Sequence, residues 1–118
     1  MTRNRWHIIR EDNSLTVTRA LPVRFDVSAE TVVPDGSRRR LAQQVRQDLW
    51  RRLQDVRGFQ PVVRVTREHG ACRIVAGGRI EGRFPKAGIE AEIADLLASP
   101  QHRDRWSAQA AHSEVADA

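Results

Sequence analysis

Residues 37–57, SRRRLAQQVRQDLWRRLQDVR, decide the fold. Leu41, Val45, Leu49, Leu53 and Val56 recur there at three- and four-residue spacing, which at about 100° per residue lays one apolar stripe along a helix. Ser37 stands where an N-cap belongs, and Gly58 where a left-handed C-cap would fall. A helix of this length spans roughly 31 Å. In a chain of 118 residues it predicts a spine against which a sheet packs.

On the C-terminal side, the spacing predicts short strands over 61–67, 71–76 and 79–84, with turns at Glu68-His69-Gly70 and Gly77-Gly78. Alternation puts Val63, Val65, Cys72, Ile74, Ile80 and Phe84 on one face and Arg64, Arg73, Arg79 and Arg83 on the other. A second helix begins at Pro85 or Lys86, with Ile89, Ile93, Leu96 and Leu97 as its stripe. Ser99-Pro100 stops it and starts a third, which carries Trp106 and runs to about Ala111. On the N-terminal side, residues 6–11 and 15–19 read as a hairpin around Asp12-Asn13-Ser14. Residues 22–27 read as a half-buried strand that 28–33 either extend or leave, before Pro34-Asp35-Gly36 breaks the chain.

The expectation is an α+β fold: a single-layer antiparallel sheet with two or three helices packed mainly on one face, in the order β(β)β-α-β-β-β-α-α. Strands joined by hairpins cannot be parallel neighbours, which favours this closure. One domain is expected over 1–112, with 113–118 as a frayed tail.

Composition narrows the classes. Apolar residues make up 40% of the chain, but 14 of these 47 are alanine, so the core is thin and a deep catalytic cavity is not expected. No stretch approaches the ~20 apolar residues that cross a bilayer. The first ten residues lack the apolar segment of a secretory signal. A lone cysteine forms no internal disulfide, in keeping with a reducing, cytoplasmic location.

Charge is uneven. The net of +5 divides into zero over 1–36, nine positive over 37–86 and four negative over 87–118. So basic a block attracts anions at a distance. Nineteen of the twenty cations are arginine, whose planar fork suits phosphate and carboxylate. A GC-rich genome writes the same bias, so position counts for more than identity.

Two groups of residues stand out on the long helix. Arg39, Arg46, Trp50 and Arg57 fall within about 40° of one another beside the apolar stripe, as a ridge of guanidiniums and an indole. Arg38, Arg39 and Arg40 crowd the positive end of the helix dipole, where each cation costs about 0.3–1 kcal/mol unless it meets an anion.

Metal and catalytic chemistry find little support. His69 and Cys72 are three apart with no second pair, so no metal site or cofactor is expected. Cys72 on an inward strand face reads as core rather than nucleophile. Gly77-Gly78 lies between strands, not at the strand-to-helix turn a phosphate loop needs. Glu90, Glu92 and Asp95 read as a solvated helix face.

In element order alone, residues 37–98 are similar to a double-stranded-RNA-binding domain. That family's Lys-rich motif at the start of its last helix corresponds here to Phe84-Pro85-Lys86-Ala87-Gly88, with one lysine. The aromatic pair of an RNA-recognition-motif sheet is absent.

The functional expectation is a small non-catalytic protein that binds nucleic acid, RNA before duplex DNA, through phosphates. Arg38, Arg39, Arg40, Arg46, Arg57, Arg64, Arg73, Arg79, Arg83 and Lys86 would meet the anion, and Trp50 would stack. The alternative is an accessory or assembly subunit that binds an acidic protein surface or self-associates, without a membrane in either case. Both depend on these cations gathering into one patch.

Overall fold

The structure, a computed structural model, describes residues 6–111. The expected tail 113–118 lies outside them. Five strands form one antiparallel sheet: β1 (His7–Glu11), β2 (Ser14–Thr18), β3 (Val27–Pro34), β4 (Phe59–Glu68) and β5 (Ala71–Ile80), in the order β1-β2-β4-β5-β3. Three helices, α1 (Arg38–Leu53), α2 (Lys86–Ala98) and α3 (Pro100–Ala110), accompany it. The α+β class, the antiparallel sheet and the block order of strands, helix, strands and two helices are as the sequence leads one to expect.

Register explains the core. Leu15 faces Val65, Val17 faces Val63 and Val65 faces Ile74, so these side chains share the face on which the helices lie. α1 packs across β2 and β4, α2 against β3, and α3 along α1. Leu41, Val45, Leu49 and Leu53 from α1 are buried there with Cys72, Ile74, Ile89, Ile93, Leu96, Leu97 and Trp106 as one cluster.

Several boundaries differ from the sequence reading. The strand expected over 22–27 lies later, at Val27–Pro34. Residues 19–26 instead carry the chain from β2 to β3 across two intervening strands, about 14 Å at normal strand spacing. Phe25 in this crossing lies under the guanidinium of Arg64, on the sheet face away from the helices. Gly77-Gly78 is not a turn, and 79–84 is not a separate strand: β5 runs unbroken through both glycines to Ile80. The order between α1 and α2 is therefore strand–strand, and the likeness to a double-stranded-RNA-binding domain does not extend to the fold. The tight turn that does exist, His69-Gly70, has both residues at positive φ, 55° and 74°.

α1 is shorter than its sequence stripe. It ends at Leu53, and Val56 N–H then donates to Leu53 O at 3.0 Å in a further turn. Its start is held twice. Ser37 Oγ accepts from Arg40 N–H at 3.2 Å, and Ser37 N–H donates to Ala110 O at 3.2 Å, tying the first turn of α1 to the last of α3.

Candidate nucleic-acid interface

The predicted cations do not gather into one patch; they occupy four places. At the first, Arg38, Arg39 and Arg40 open α1, and Arg38 Nη1 donates to Asp12 O at 3.5 Å. No acid stands in this first turn. At the second, the Arg46 and Arg19 guanidiniums lie 4.4 and 5.3 Å from the centroid of the half-buried Trp6 indole. Burial, and then the charge of Arg19, pull the Arg46 pKa below its ordinary value. Arg46 is thus committed to packing, although Trp50, one turn on, remains 40% exposed.

The third place is the open sheet face. Arg64 Nε donates to Thr16 Oγ1 at 3.1 Å; Arg73 is paired with Glu30 at 3.1 Å and Glu68 at 3.8 Å. Arg79 is half-buried with its Nε unbonded, near Asp26. Asp26 in turn is held below the usual carboxylate range by its hydrogen bonds from Arg24 and from the Ile80 N–H. Acids on β3, on β4 and in the crossing before β3 therefore already answer part of this face's charge. Arg83 does not join it, because β5 has ended.

Arg83 is at the fourth place with Arg57, and Lys86 follows as the first residue of α2. A mostly apolar hollow of about 510 Å³ lies there between the end of α1 and the start of α2, walled by Val56, Ile80, Phe84 and Ile89. Arg57 has left α1, so the predicted four-member ridge is broken: Arg46 is turned to Trp6 and Arg57 sits beyond the helix end.

The sequence reading missed the groove between α1 and α3. Arg39, Arg40, Gln43, Gln44, Gln47 and Gln109 wall a space of about 400 Å³ with no carboxylate among them. It continues into a smaller hollow of about 190 Å³ bounded by Arg51, Arg105 and Asp48. α1 presents Arg39, Gln43 and Gln47 at four-residue spacing, and α3 presents Arg105 and Gln109 likewise. The spacing was legible on each helix. That α3 lies alongside α1 was not.

What aligns the two helices is Asp48. Its carboxylate, in a residue only 8% exposed, accepts from Trp106 Nε1–H at 2.8 Å, from Arg105 Nη2, and from Arg51 Nη1 at 3.4 Å. Gln44 Nε2 adds a bond to Trp106 O at 3.4 Å. The second-helix acids are also in use: Glu92 pairs with Arg52, and Glu90 accepts from the Ser28 N–H at 2.9 Å.

Cys72 donates to Asp35 Oδ1 at 3.5 Å, and burial pushes its thiol pKa up. A thiol reagent is expected to leave the native protein unmodified and to label it once only in denaturant; fast labelling under native conditions would contradict this assignment. Among the described residues, no three His, Cys, Asp or Glu side chains gather as a metal site, and no helix is long and apolar enough to cross a membrane.

The chain matches no protein family, and no curated protein or solved structure is significantly similar to it.

Proposed function

We propose that the protein binds nucleic acid without catalysing a reaction, and that a single strand of RNA, rather than duplex DNA, lies along the α1–α3 groove. With the cations divided among four places, the reading rests instead on one of them, the arginines and glutamines that wall the wider, 400 Å³ part of that groove with no carboxylate among them. Guanidiniums meet phosphates in a forked geometry, while side-chain amides both donate and accept, as base edges and the ribose 2′-hydroxyl require. A groove recessed beside a second helix admits one strand more readily than the width of a duplex. Trp50, one turn beyond Gln47, offers an exposed ring for a base to stack on.

Fluorescence anisotropy with a labelled 12-nucleotide uridine strand tests the proposal. A strand contacting four phosphates should give a log–log salt slope of about −3, at about −0.7 per phosphate. Replacing Arg39 and Arg40 together with alanine should weaken binding about 10- to 100-fold at low salt and flatten the slope by roughly 1.4. A slope near zero, or an unchanged affinity in the double variant, would overturn the reading.

A further inference from the structure

The two edges of the sheet are treated differently. The Arg67 N–H donates to Asn13 O at 2.9 Å, which fixes the hydrogen-bonding phase of the whole sheet. With Ser14 opposite Thr66, the odd residues of β2 bond to β4, so its even residues, 14, 16 and 18, bond to β1. These lie opposite Glu11, Ile9 and His7. The main-chain groups of Ile8 and Arg10 therefore point out of the sheet.

The same phase carried across β4 and β5 turns Ser28, Glu30 and Val32 outward on the opposite edge. That edge is stopped by side chains. Glu90 accepts the Ser28 N–H at 2.9 Å, Arg103 Nη2 donates to Val32 O at 2.8 Å, and Pro34 has no N–H to offer. On β1, the outward groups of Ile8 and Arg10 have no partner among the described residues. Ile8 is also 38% exposed, a large apolar side chain on an edge that no other described strand pairs with.

We propose that β1 is a dimerisation edge, on which a second copy of this chain adds its own β1 antiparallel across a two-fold axis at Ile9, joining two sheets into one of ten strands. The register follows from the phase. Outward groups must meet outward groups, and centring the pair on Ile9 sets Ile8 against Arg10 of the other copy and Arg10 against Ile8. These two pairs exchange about four main-chain hydrogen bonds. The same register lays Ile9 against Ile9 on the open face and His7 against Glu11, an imidazole opposite a carboxylate, at both ends. Registers centred on Ile8 or Arg10 leave part of this five-residue strand unpaired.

The interface is small, so micromolar affinity is expected. Each copy carries a net +5, so salt that screens their repulsion should leave the dimer intact or strengthen it. Nucleic-acid binding responds in the opposite sense, so the two proposals fail separately.

Sedimentation equilibrium from about 5 to 500 µM should show a species of twice the chain mass. Ile8→Pro and Arg10→Pro each remove an outward N–H without touching the β1–β2 ladder, and should weaken the dimer at least about tenfold. Glu30→Pro makes the same lesion on the β3 edge and should leave the dimer unchanged. Circular dichroism checks that each variant is folded.

Register is tested in an otherwise unaltered chain. The Cα atoms of a non-hydrogen-bonded pair stand about 4.5 Å apart, within disulfide reach, so Ile9→Cys should cross-link to itself under mild oxidation. Ile8→Cys, two residues out of step with its counterpart, lies beyond about 7 Å and should not. A monomer at 500 µM, a dimer indifferent to both β1 prolines, or cross-linking through Ile8→Cys rather than Ile9→Cys would each overturn the proposal.

Discussion

Gly77→Ala is expected to destabilise the protein by on the order of 4 kcal/mol, among the largest effects a single methyl group can have. A Cβ built on Gly77 falls 1.9 Å from Val27 O and 2.8 Å from Ser28 Cα. Both obstacles are main chain, so no rotamer change relieves them. The chain descends into β3 at this point, and the Asp26 N–H donates to Gly78 O at 2.7 Å. Making room means lifting the start of β3 from β5, which loses that bond and the burial of Val27. Gly78→Ala meets the same kind of obstacle on the other side, Gln60 O at 2.1 Å. A domain of this size holds about 5–15 kcal/mol in total, so either alanine should lower the urea midpoint sharply. Gly88, whose Cβ position is open, is the control: Gly88→Ala in α2 should stabilise by several tenths of a kcal/mol. A Gly77→Ala midpoint within 0.3 M of wild type would show that β3 does not approach β5 so closely.

Asp48→Ala should cost about 2–4 kcal/mol and lower the melting temperature by roughly 8–16 °C. The substitution strands the Trp106 indole N–H inside the core, since the indole is fully buried and among the described residues its N–H bonds to Asp48. Arg105 and Arg51, 45% and 70% exposed in their side chains, turn to water at little cost, so the penalty is chiefly that of the orphaned donor. Asp48→Asn keeps an oxygen for the indole and should lose about half as much. The pair of variants separates a charge effect from a hydrogen-bond effect. If asparagine and alanine proved equally harmful, the ion pairs rather than the indole would be what Asp48 serves. Because the same carboxylate aligns α3 with α1, Asp48→Ala should also weaken the proposed binding along the groove, although Arg39, Arg40 and the glutamines that wall it remain.

Much of the fold was legible. The stripe from Leu41 to Leu53, the alternation of Val63, Val65, Cys72 and Ile74, and the Ser99-Pro100 break are local patterns, and each is read from neighbours within a few residues. The misreadings share a cause. Gly77-Gly78 has the composition of a turn, and only the close approach of β3 to Gly77 and of β4 to Gly78 makes the same pair a requirement of a continuous strand. Arg46 has the position of a surface cation, and only the arrival of Trp6 makes it part of the packing.

The chain by itself determined a thin-cored α+β fold, the presence and inward face of its main helix, and the basic character of residues 37–86, because propensity, periodicity and formal charge belong to residues wherever they are placed. Tertiary structure decided which charges are answered within the fold and by which partners. Glu30 reaches Arg73 on the neighbouring strand, Asp48 draws Arg105 and Trp106 to α1, and Arg103 closes one sheet edge while among the described residues nothing closes the other. Each of these contacts joins residues dozens of positions apart. Electrostatic and hydrogen-bond energies depend on distances of a few ångströms, which sequence separation does not encode.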